Sequence, residues 1–180
     1  MRAWQVGGAV IEADALGGGT DASVPPDASP GSVLLVENLR RNGTSDWTPP
    51  GGVIDDGEAV VDGLSREVSE ETGLAVLRWH GLLYRIDAEA PDLGWHLRVE
   101  VHRAAEAAGE VAVGSDPDGI VIGSAWVADS ECARLLGDGH PWVREPLLEW
   151  LAERWSADEP RTFRYLIRGT GLDDLTVQRR

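Results

Sequence analysis

With 180 residues the chain has the length of one domain able to bury a core without disulfide or metal staples, and its lone Cys132 excludes an internal disulfide. A net charge of −15 excludes the basic stripe that a groove for a nucleic acid backbone needs. All sixteen basic residues are arginine, which also excludes Schiff-base chemistry, the Gly-Lys-Ser/Thr phosphate loop and a kinase-type lysine, so a phosphate must be met by arginine, backbone N–H groups or a metal ion.

In chain order, residues 4–12 read as a first strand and 33–37, almost wholly apolar, as a central one. The connection 13–32 is rich in Gly, Pro, Ser, Ala and Asp and is expected to be a flexible loop with almost nothing to bury. Over 60–72, Val60, Leu64 and Val68 recur every four residues and predict a helix with one apolar stripe; Gly73 follows where a left-handed C-terminal cap is expected. Strands are expected at 75–88, 95–104 and 119–128, then a short helix through Leu136 capped by Asp129 or Ser130. Pro146 suits the first turn of a last helix that buries Leu147, Leu148, Leu151 and Trp155, and 162–168 reads as a final strand or packed tail. The whole predicts an α/β fold, a mixed β-sheet between helices, as a single domain over 1–180. No apolar run has bilayer length and no basic, apolar leader is visible, so the expectation is a cytoplasmic protein with no membrane partner.

Chemistry is concentrated in 47–74, WTPPGGVIDDGEAVVDGLSREVSEETGL. Residues three and four apart share a helix face, so Glu67, Glu70 and Glu71 project to one side, away from the apolar stripe. Like charges so placed repel by about 0.2–0.5 kcal/mol per pair, and in an already acidic chain something must offset that. Hard carboxylate oxygens converging on one point suit Mg²⁺ or Mn²⁺. Upstream, Pro49 and Pro50 stiffen the chain while Gly51 and Gly52 let it turn sharply, so that a carbonyl there could approach the same ion.

The stretch resembles the signature of the Nudix hydrolase family: Gly, five residues, Glu, seven residues, Arg-Glu-apolar, any, Glu-Glu, any, Gly-apolar. Gly52, Glu58, Arg66, Glu67, Val68, Glu70, Glu71, Gly73 and Leu74 fill it with no mismatch. The resemblance covers this box and the Trp-x-x-Pro-Gly-Gly lead-in firmly and the order of elements loosely, and adds little for 13–32 or beyond about residue 105. Pro49 stands where many members carry a large apolar residue, which stiffens the turn. The resemblance implies an α/β/α sandwich of the Nudix type and metal-dependent hydrolysis of a pyrophosphate bond in a nucleoside diphosphate linked to another moiety. By the match, Glu67, Glu70 and Glu71 resemble ligands of Mg²⁺ or Mn²⁺, helped by the Gly52 carbonyl; Arg66 resembles an orienting partner of a box carboxylate; Glu58 resembles a further carboxylate near the ions. The resemblance thus implies Glu70, Glu67, Arg66 and Glu58 as the catalytic set. Relatives differ in the acid that deprotonates water: here it is a box glutamate, or Glu110, Asp116, Asp118 or Glu131 on a distant loop. ADP-ribose, other nucleotide sugars, dinucleoside polyphosphates and oxidised nucleoside triphosphates all stay open as the small-molecule nucleotide partner, as does a homodimer.

Blander readings stand beside these. A Glu-rich helix face is usually only solvated, and Arg66 pairing with Asp62 or Glu70 on a surface contributes roughly 0.3–0.5 kcal/mol. A second function class is a non-catalytic module that binds a nucleotide derivative; the intact carboxylate set speaks against it. An isomerase of isoprenoid diphosphates would call for a catalytic cysteine, and Cys132 lies far from the box in sequence. Most of the eight tryptophans should pack, with Trp95, Trp126 and Tyr84 as candidates for stacking on a base. Arg85 and Arg98, with Arg40 and Arg41, are candidates for phosphate, and the four histidines show no metal-ligand spacing.

Overall fold

In the computed structural model, which describes residues 1–180 except 19–27, 115, 116, 118, 138, 172 and 173, the chain runs β1 (Arg2–Val10), β2 (Val33–Leu39), β3 (Ser45–Thr48), α1 (Val60–Thr72), β4 (Ala75–Ala90), β5 (Trp95–Ala108), β6 (Val121–Val127), α2 (Asp129–Leu136), α3 (Pro141–Glu153), β7 (Arg161–Arg168) and β8 (Thr176–Arg179). The expected mixed sheet is present, but the strands divide into two sheets. A five-stranded sheet has the order β1-β5-β4-β7-β8, with β1 parallel to β5 and β4 parallel to β7; a three-stranded antiparallel sheet has the order β3-β2-β6. β3 has only four residues and β8 is largely exposed, so neither carries the alternating apolar signal that would mark it in the sequence.

Helices flank the sheets in an α/β/α arrangement. The stripe of α1 buries Leu64 and Val68 with Ala9, Ile11, Leu74 and Ala104 in one core. Gly73 closes the helix in the left-handed conformation, its N–H donating to Ser69 O at 2.9 Å. A second core joins the other face of the large sheet, through Tyr84, Ile86 and Phe163, to Leu35, Val127 and the apolar faces of α2 and α3. Cys132, on α2, is fully buried in it. No helix among the described residues is long and apolar enough to cross a membrane.

Two local expectations are corrected. The last helix starts at Pro141, which sits in its first turn, and Pro146 lies inside it, buried. A proline there cannot donate to the carbonyl four residues earlier, so packing of Trp142, Leu147 and Trp150 has to offset that loss. The helix also stops before Trp155: Arg154 takes a left-handed φ of 52° while its guanidinium meets Glu12 and Asp129, and Trp155 donates its indole N–H to Leu83 O at 2.8 Å. In the 13–32 connection, Ala13–Gly18 form a 3-10 helix with Ala13, Ala15 and Leu16 buried, so this part packs. The expectation of a flexible loop over 19–27 lies outside the described residues.

Candidate active site

Residues 50–54 run along the edge of β1. Ala9 N–H donates to Pro50 O at 2.8 Å, Gly7 N–H to Gly52 O at 2.9 Å, and Ile54 N–H to Gln5 O at 2.9 Å. So close an approach excludes a side chain at Gly51, whose φ is 145° and where a Cβ would lie 2.1 Å from the Gly7 carbonyl oxygen. At Gly52 the neighbour is an acid: a Cβ would lie 2.2 Å from Glu67 Oε2. The glycine pair thus lets backbone press against the acidic face of α1.

Glu71, 8% exposed, accepts the Gly51 N–H through Oε2 at 2.8 Å. Arg66 ties the other acids together. Its Nη1 donates to Glu67 Oε1 at 2.8 Å and Glu70 Oε2 at 3.2 Å, and its Nη2 to Glu58 Oε2 at 3.1 Å. This guanidinium holds the Glu58 carboxyl below its ordinary range, and the hydrogen bonds it donates to Glu58 and then to Glu67 raise the Arg66 pKa in return. Arg66 therefore offsets part of the repulsion that the sequence implies. An all-oxygen donor set, with Glu67 seated where a residue 52 side chain would be, fits Mg²⁺ or Mn²⁺.

The acids open into a cavity of about 760 Å³ whose wall includes Gly52, Arg66, Glu67, Glu70 and Glu71. Glu58 is not on that wall and reaches the site through Arg66. Apolar side chains of the large sheet, among them Tyr84, Ile86 and Val99, form another part of it. Strand alternation places Arg85 and Arg98 on the reverse face of the same strands, where Arg85 bonds Glu100 at 3.1 Å, so they stand away from this cavity. Trp95 meets Trp142 edge-on at 6.1 Å without reaching the wall, and Trp126 packs in the α1 core. Tyr84 does reach the wall, but is 1% exposed and packs against Phe163. Glu110 and Glu131 are off the wall, with Glu131 bonded to Arg134 at 2.8 Å; Asp116 and Asp118 lie outside the described residues. Sequence reading missed Asp55 at the rim, and Asn38, Thr48, His140 and Trp142, which come together only through the packing of β2, β3 and α3.

On the reverse face, Asp87, Glu89 and His96 have ligand atoms within 4.8 Å of one another. Asp87 bonds His96 Nε2 at 2.8 Å and has Arg98 and Arg164 as cross-strand neighbours, and this group stands apart from the box.

The family model of the NUDIX domain matches residues 20–151. The chain belongs to the Nudix family. Among solved structures, a MutT NUDIX hydrolase from Burkholderia pseudomallei is 25% identical, with 72% of this chain and 86% of that one covered and a TM-score of 0.55. A MutT protein from Bacillus halodurans shares the fold at 21% identity, 98% and 97% coverage and a TM-score of 0.61. A NUDIX hydrolase from Nitrosomonas europaea does so at 20% identity, 87% and 95% coverage and a TM-score of 0.60. These likenesses show that the chain shares the fold of Nudix hydrolases. Among curated proteins, none matches it.

Proposed function

We propose that this Nudix hydrolase cleaves a pyrophosphate bond in a nucleoside diphosphate derivative, with divalent ions held by Glu67, Glu70, Glu71 and the Gly52 carbonyl. One observation carries the reading: Glu67, Glu70 and Glu71 all open into a cavity of about 760 Å³, within the size range of sites that take small organic ligands. When bound, Mg²⁺ or Mn²⁺ would neutralise charge on the phosphate oxygens and acidify a water molecule. The Gly52 carbonyl already accepts the Gly7 N–H, which leaves its second lone pair for a ligand role. Arg66 fixes Glu58, Glu67 and Glu70 through its planar fork, so these side chains do not have to be ordered when the substrate arrives.

Glu70, one-third exposed and on the wall, takes the proton of the attacking water. The water oxygen forms the new bond to phosphorus, its proton passes to the Glu70 carboxylate, and the bridging P–O bond breaks with the electron pair leaving on the departing phosphate. The test is incubation with Mg²⁺ or Mn²⁺ and a panel of nucleotide sugars, dinucleoside polyphosphates and oxidised nucleoside triphosphates, reading product masses. Release of two phosphate-bearing fragments from a panel member is expected. No product from any member, together with no effect of either ion on melting, would overturn the reading.

A further inference from the structure

The register of β2 against β6 shifts between Glu37 and Asn38, and a bulge of this kind re-aims the side chain that follows it. Asn38 is 6% exposed yet lies on the cavity wall, beside Thr48 from β3. Its Nδ2 donates to Thr48 Oγ1 at 3.0 Å. That contact uses one of the four hydrogen-bonding positions of the amide. Among the described residues Oδ1 has no hydrogen-bond partner, and since none of their fully enclosed side-chain polar atoms is unpartnered, this oxygen is accessible on a residue of the cavity wall. The Thr48 hydroxyl both donates and accepts, so either orientation of the amide leaves one donor and one acceptor pointing at whatever enters.

The same cavity offers a flat surface. His140 lies parallel on Trp142, with ring centroids 4.3 Å apart and an interplanar angle of 8°, and both residues are on the wall. An anchored amide and a stacking surface on one cavity wall are the two elements that reading the edge of a planar ring with a donor beside an acceptor calls for. Resting on the reading of this cavity as a nucleotide site, we propose that Asn38 reads the base and selects adenine. The exocyclic amine of adenine donates to Oδ1 and the neighbouring ring nitrogen accepts the free Nδ2–H. Guanine presents two acceptors on the corresponding edge, O6 and N7, and leaves Oδ1 unmatched.

The test is calorimetric binding of AMP and of GMP, neither of which has a pyrophosphate bond to cleave, to the full chain with Mg²⁺ present. Wild type should bind AMP about tenfold or more tightly than GMP, the discrimination of a bidentate amide contact. Asn38→Ala should bring the two within about twofold. Asn38→Leu is close in size and offers neither donor nor acceptor, so it serves if the alanine variant does not fold and should also abolish the preference. Failure of both nucleotides to bind, equal binding to wild type, a GMP preference, or an AMP preference that survives in a folded variant would overturn the proposal. Hydrolysis of pyrophosphates without base preference would sink this inference and leave the enzyme reading intact; an Asn38-dependent AMP preference with no hydrolysis would do the reverse.

Discussion

A methyl group added at Gly52 would lie 2.2 Å from Glu67 Oε2 and 2.5 Å from its Cδ. Ordinary contact begins at 3.4 Å, so the carboxylate has to retreat by about 1.2 Å. It is the end of a flexible side chain, and an off-rotamer shift costs about 0.5–1.5 kcal/mol. Gly52 has no positive φ, so alanine adds no backbone strain there. For a chain of this size the melting temperature of Gly52→Ala should therefore fall by only a few degrees. Turnover is another matter, because a misplacement of about 1 Å in a reacting constellation costs on the order of a hundredfold. The assay compares melting with and without Mg²⁺ and kcat on the best panel substrate. Expected are a small loss of stability, a weaker response to Mg²⁺ and a turnover about a hundredfold lower. Gly51→Ala is the contrasting control: its Cβ would meet the Gly7 backbone oxygen at 2.1 Å in a conformation unsuited to L residues, so stability should fall first. Wild-type turnover and an unchanged Mg²⁺ response in Gly52→Ala would refute the reasoning that Glu67 is positioned by the glycine.

Glu70→Gln should lower kcat by about 10²–10⁴-fold with little change in melting, whereas Glu131→Gln, off the cavity wall, should leave kcat unchanged; the reverse pattern would move the base out of the box. Because Arg66 depresses the Glu58 pKa below its ordinary 4.5, the stabilisation from this pair is fully present above that value and is lost as pH falls through the depressed one. Melting of wild type and Arg66→Gln should converge on acidification below pH 4.5, and a constant gap between them would count against the pairing. Leu16→Ala should cost about 2–5 kcal/mol in denaturant unfolding, since Leu16 is 2% exposed; a neutral result would show that the Ala13–Gly18 turn does not pack.

The α1 region was legible in sequence down to its ends, because period, cap and acidic face are all local: Leu64 and Val68 had to share a side, Gly73 had to close the helix, and Glu67, Glu70 and Glu71 had to project together. Packing of Ala13–Gly18 was not legible, since one Leu among small residues carries no period and is buried by the α1 core, where Ala9 and Ala104 of the large sheet meet Leu34 of the small one. The start of α3 was misplaced because two prolines satisfy the same local rule for a first helical turn, and only burial of Trp142 selects Pro141. The candidate site divides along the same line. Its acids lie within one helix and the turn before it, where neighbours in sequence are neighbours in space. The far wall is assembled by a bulge in β2, a four-residue strand and a helix start about a hundred residues further on, and the alternation that turns Arg85 and Arg98 away from the cavity acquires a direction only once the large sheet has α1 on one face and α3 on the other.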